Sequence, residues 1–182
     1  MAAYNKLEGE LVRLDRVKRN EWAEVLERFQ TEALYDSAGL KKPPEQAPFF
    51  EDLDEDELIV FHITPHEGSE PVAYGVFVNY DGPPYIFVYF FNAQPDVEFA
   101  GDAMLQMVLA FFQNTEEPRL YTFLPRPVDE DIHDKLLESG FDHIEDYPVI
   151  NNDEEACYCL ERFTYEAYYQ DEEEDDVAEL DF

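Results

Sequence analysis

The sequence predicts a mixed α/β fold, a central and mostly antiparallel sheet with helices on both faces. Three observations predict it. Residues 85–91 form an uninterrupted apolar run, followed after an acidic loop by a segment, 100–112, that is apolar nearly all round and reads as a buried helix. Two shorter apolar runs, 58–63 and 72–79, precede it and are joined by turns too short for anything but antiparallel neighbours. Beyond it a strand, a short helix ending in Ser139-Gly140-Phe141 and two closing strands complete the order.

Each element has a local reason. Leu11, Val12, Leu14 and Val17 make a first strand, flanked by Arg13, Arg16, Lys18 and Arg19, the basic segment of the chain. Asn20 suits a helix N-cap, and Trp22, Val25, Leu26, Phe29 and Ala33 then recur at helical spacing, a core-facing stripe. Prolines 43, 44 and 48 mark 39–48 as a loop, because proline stops helices and cannot donate to a sheet ladder. The acidic stretch 49–57 is compatible with one helical turn. Asp81-Gly82 between apolar runs signals a hairpin turn, lengthened here by Pro83 and Pro84. Residues 119–124 read as a strand. Val128, Ile132 and Leu136 give 128–138 one apolar side, and Gly140 suits the left-handed residue that closes a helix. Segments 143–149 and 156–163 read as a last hairpin across Asn151-Asn152-Asp153.

Composition bounds the function. The chain has 182 residues, 45% hydrophobic and 15% aromatic, enough for one sizeable core. Residues 1–163 are expected to form one domain and 164–182 an acidic tail, the latter carrying nine acids and no base. Like charges should keep 171–176 extended. No apolar run is long enough to span a membrane, and the N-terminus lacks the basic-then-apolar order of a secretory signal. Cys157 and Cys159 alternate about Tyr158 on one strand face, as small buried hydrophobes do, and a reduced cytoplasmic setting fits. No group of His and Cys has metal-site spacing, so no metal is expected.

Forty-four acids against twelve bases give a net charge of −32. Such a surface repels nucleic-acid phosphates and anionic membranes, so neither is an expected ligand. It suits salt adaptation, a basic protein or polyamine-like partner, or imitation of nucleic acid. Composition leaves these open, along with a dimer.

The crossover helix after the central strand and the segment Leu136-Leu137-Glu138-Ser139-Gly140-Phe141 resemble the GNAT acyltransferase superfamily, over about residues 11–163. The resemblance implies a GNAT-like fold and an N-acyltransferase using acetyl-CoA, and the acidic surface suits a cationic amine or protein as its substrate. The alternative is a non-catalytic relative that binds proteins through its acidic surface and tail. In that superfamily, backbone amides between the central strand and its helix bind the coenzyme pyrophosphate. By that correspondence Phe91, Asn92, Gln94, Ala100 and Gly101 are the cofactor-binding candidates. A helix N-terminus offers unpaired N–H groups and a positive dipole end. Here, though, Asp96, Glu98 and Asp102 are expected to face the phosphates, Pro95 removes one donor, and the loop has no Lys or Arg. The resemblance implies catalytic positions that fall on Asp129 and Leu136. Asp129, with Tyr89 on the central strand and His133 in the late helix, are the catalytic candidates; Leu136 cannot donate a proton. Finally, the acidic stretch ending in Phe182 resembles the Phe-terminated tails of single-stranded-DNA-binding proteins, which implies a docking role.

Overall fold

The computed structural model describes residues 5–31, 34–36, 57–79, 83–144 and 155–169. Among these, eight strands form one sheet. They are β1 (Lys6–Glu8), β2 (Val12–Arg16), β3 (Leu58–Pro65), β4 (Ala73–Val78), β5 (Tyr85–Phe90), β6 (Arg119–Pro125), β7 (Asp142–Ile144) and β8 (Glu155–Glu161). Their order is β1-β2-β3-β4-β5-β6-β8-β7. Every neighbour is antiparallel except β5 and β6, which are parallel and joined by a long helix. Four α-helices pack on the sheet: α1 (Trp22–Thr31), α2 (Val97–Asn114), α3 (Glu130–Glu138) and α4 (Arg162–Tyr169). The predicted mixed α/β class and its mostly antiparallel sheet are the observed ones.

Alternation on β5 divides the core. Ile86, Val88 and Phe90 point into the cluster under α2, with Phe111, Phe112, Leu120, Leu136, Tyr158 and Tyr165. On the opposite face Phe87 and Tyr89 join the cluster under α1, with Trp22, Val25, Phe29 and Tyr74. α2 lies close to the sheet because β4 carries Gly75. A Cβ there would sit 2.9 Å from the Met107 sulfur.

Several boundaries differ from expectation, each for a local reason. A 3-10 turn, Arg19–Glu21, enters α1, and Glu21, not Asn20, supplies the side chain, accepting from the Lys18 amide at 3.0 Å. β1 is too short to show a period. α2 starts at Val97, not Ala100, because Asp96 caps it. β7 ends at Ile144 among the described residues. The last strand stops at Glu161, because Arg162 turns the chain into α4. Arg162 donates to the carbonyls of Phe112 and Glu117, both at 3.1 Å, and so satisfies acceptors at and beyond the end of α2. α4 extends past the change of composition at Thr164 and buries Tyr165, which stacks on Phe112 at 4.7 Å. The expected loop 39–48, the turns at Asp81-Gly82 and Asn151-Asn152-Asp153, and the acidic stretch ending in Phe182 lie outside the described residues.

Gly140 follows α3 with φ 84°, and Phe141 beyond it is buried. A Cβ at Gly140 would also lie 3.1 Å from Thr164 Cγ2 in α4. Gly140→Ala is therefore expected to cost about 1–2 kcal/mol, since a left-handed conformation is strained for any L-residue with a side chain. Thermal unfolding should show a fall of roughly 3–6 °C; an unchanged midpoint would mean the turn tolerates a side chain.

Candidate functional site

Two features stand out around the parallel pair. The first is a groove between α2 and α3, open to solvent, with a cavity volume of about 50 Å³. Val97, Ala100, Gly101, Met104 and Val108 form one wall, and Ile132, Lys135 and Leu136 the other. Leu124 of β6 floors it, and Phe141 and Tyr169 close one end. The helical period explains the two walls: residues three, four and seven apart on α2 share a face. A Cβ at Gly101 would have nothing within 4 Å.

The second is a parting of β5 from β6. Their register has one pair, Tyr85 with Tyr121. Next along, the strands no longer exchange bonds in ladder fashion. The hydroxyl of Thr122, itself buried, donates to the Ile86 carbonyl at 2.8 Å. Further on, the Tyr35 segment takes the edge that β6 has left. Tyr35 N–H donates to the Phe90 carbonyl at 3.0 Å, and Phe90 N–H donates to the Tyr35 carbonyl at 2.7 Å. Leu34 packs into the α1 cluster and Tyr35 against the α2 cluster, so this short segment sits across the sheet edge.

The N-terminus of α2 stands at the groove mouth, and the chain supplies its own anions there. Asp96 accepts from the amides of Glu98 at 3.0 Å and Phe99 at 3.2 Å. Glu98 pairs with Lys135 Nζ at 2.6 Å, linking α2 to α3. The expectation that Asp102 also faces a phosphate is corrected. Its carboxylate turns to the β1–β2 connection and accepts from the amides of Glu10, Leu11 and Val12 at 3.2, 2.7 and 3.0 Å. The loop itself has no Lys or Arg, as expected, and α3 brings Lys135 across from another element. Lys135 is the one lysine after Lys42 in the whole sequence, which is the signal that could have singled it out.

The candidates named from sequence are dispersed. Ala100 and Gly101 lie inside α2 rather than at its first two positions, and both line the groove. Asn92 and Gln94 are exposed, the Gln94 amide donating to Asn92 Oδ1 at 3.0 Å. Phe91 lies on the α1 face under the Arg28 guanidinium, 3.9 Å from the ring centre. Tyr89 is on that face as well, edge-on to Phe29 at 5.5 Å. Asp129 is the N-cap of α3, accepting from the amides of Asp131 and Ile132. His133 projects from α3 towards β8, where its Nδ1 and the Tyr158 hydroxyl share a hydrogen bond of 2.7 Å. His143 packs on Tyr158 at 5.2 Å. Burial pushes the Tyr158 phenol above its ordinary range, with Arg126 pulling the other way. Tyr89 and His133 thus lie on opposite faces of the sheet. Cys157 and Cys159 are buried and not joined in a disulfide, and burial pushes Cys159 up to about 11, so it is a poor nucleophile at neutral pH. Among the described residues no three His, Cys, Asp or Glu side chains group as metal ligands do, and no helix is long and apolar enough to cross a membrane.

No protein-family model matches the sequence, and no curated protein does. Solved structures do match in fold. An acetyltransferase from Agrobacterium tumefaciens aligns with a TM-score of 0.61 at 14% identity, over 88% of this chain and 96% of that one. A GCN5-related N-acetyltransferase from Brucella melitensis gives 0.59 at 14% identity, over 91% and 82%. A GNAT-family acetyltransferase from Bacillus anthracis gives 0.55 at 16% identity, over 87% and 99%. The shared feature is the fold.

Proposed function

We propose that this chain, which has the GNAT acetyltransferase fold, is an N-acyltransferase that draws its acyl group from a thioester and delivers it to a cationic amine. The observation that carries the reading is the apolar groove between α2 and α3, which begins at Val97, the first residue of the helix that joins the parallel strands β5 and β6. A ligand laid in that groove would lie beside the first turn of α2 and against Leu124 of β6. A cleft at the C-terminal ends of parallel strands is where α/β sheets take ligands.

Acetyl-CoA is the first donor to consider, since it supplies an activated acyl group as a thioester. The groove fits part of it. Val97, Met104, Leu124, Leu136 and Phe141 offer apolar walls to its arm. The phosphate end meets a less receptive surface, because the two amides that would greet it already hold Asp96, and Glu98 stands beside them. The acceptor class follows from charge: a surface of net −32 raises the local concentration of polyamines and lysine-rich segments.

Incubation with acetyl-CoA and spermidine, or a lysine-rich peptide, should release thiol only when the amine is present. The rate should fall as salt screens the acidic surface. No amine-dependent thiol release, with no binding of the thioester in calorimetry, would remove the proposal.

Two observations favour a second reading, a non-catalytic module that docks basic proteins. Asp96 occupies the helix amides, and Tyr35 occupies the β5 edge at Phe90. Under that reading the groove is inert, and a basic protein binds the acidic surface with a salt-sensitive affinity.

A further inference from the structure

We infer that the groove selects an acyl donor with an uncharged arm, a pantetheine-type thioester, over one that carries a pyrophosphate. The inference rests on the acyltransferase reading of the same groove.

The groove's walls and its rim differ in kind. The walls are hydrocarbon, from Val97, Met104, Leu124 and Leu136. The rim is where a pyrophosphate would lie, and the chain has placed its own carboxylates there. Asp96 holds the amides of Glu98 and Phe99. A phosphate could reach those amides only by displacing Asp96, which would leave α2 without its cap. Glu98 is exposed one residue into the helix and would meet the phosphate as a like charge. Lys135 is the cation that the groove lining provides, and Glu98 already engages it at 2.6 Å. Phosphate binding would therefore exchange existing charge pairs for equivalent ones, within a chain of net charge −32. A neutral arm requires no exchange. Its chain passes along the apolar walls beside Gly101, and Asp96, Glu98 and Lys135 keep their partners.

Calorimetric titration of the whole chain with S-acetylpantetheine and with acetyl-CoA tests this, on the wild type, Asp96→Asn and Glu98→Gln. Asn retains the capping geometry without the charge, so Asp96→Asn should fold. The wild type should bind S-acetylpantetheine at least as tightly as acetyl-CoA. Added salt should strengthen acetyl-CoA binding and leave S-acetylpantetheine unchanged. Each variant should tighten acetyl-CoA on the order of tenfold, by removing one nearby like charge, with no effect on S-acetylpantetheine. If the wild type binds acetyl-CoA ten times more tightly than S-acetylpantetheine, roughly 1.4 kcal/mol, the inference is wrong while the acyltransferase reading stands. Equal binding that neither variant alters also overturns it. If neither compound binds, the reading of the groove fails, and this inference with it.

Discussion

Gly101→Trp is expected to abolish thioester binding while the fold stays intact. Gly101 is exposed on α2 and lines the groove, and a Cβ there meets no atom within 4 Å. A larger side chain can therefore enter the groove without moving the backbone. An indole occupying the space of the ligand should reduce affinity on the order of a hundredfold, about 2.7 kcal/mol. Stability should hold or rise slightly, because glycine inside a helix costs roughly 0.5–1 kcal/mol relative to alanine. Calorimetry with the thioester and a thermal melt read the two effects separately. Undiminished binding by a folded variant would place the ligand somewhere else on the chain.

The neighbouring substitution should do the reverse. Asp102→Ala is expected to destabilise the protein by about 3 kcal/mol, because one carboxylate serves three backbone donors and hydrogen bonds to charged groups are the stronger kind. Those donors belong to Glu10, Leu11 and Val12, and Val12 is fully buried. Without Asp102 the β1–β2 connection loses its tie to α2. The packing shows how close that tie is: a Cβ at Gly9 would fall 2.2 Å from Asp102 Oδ2. A fall of roughly 6–12 °C in the melting midpoint is expected. A shift of only a degree or two would mean that water replaces the carboxylate, and that the connection holds without it. Residues 101 and 102 stand about 100° apart around the helix, enough to face one into the groove and the other towards β1.

Much of the architecture was legible because it repeats locally. The alternation of Ile86, Val88 and Phe90 with Tyr85, Phe87 and Tyr89 sets two faces on β5, and the apolar girth of residues 100–112 marks a buried helix. Ser139-Gly140-Phe141 signalled a helix end, since glycine takes φ 84° without strain. The start of α2 was misplaced because Asp96, the better cap, precedes the apolar run by several residues. That shift puts Ala100 and Gly101 within α2 rather than at its first two positions.

By itself, then, the sequence determined the class of fold, the two faces of its central strand, and the surplus of acid around it. These are properties of spacing and composition, and neither needs a partner from elsewhere in the chain. The tertiary structure alone decided what the charged groups at the groove are doing. Asp102 finds the Leu11 amide across 91 positions, Lys135 reaches Glu98 across 37, and the backbone of Tyr35 joins Phe90 along an edge that β6 leaves. Such pairings follow from how packed elements cross. The short-range periods that place each element say nothing about which distant side chain will stand opposite it.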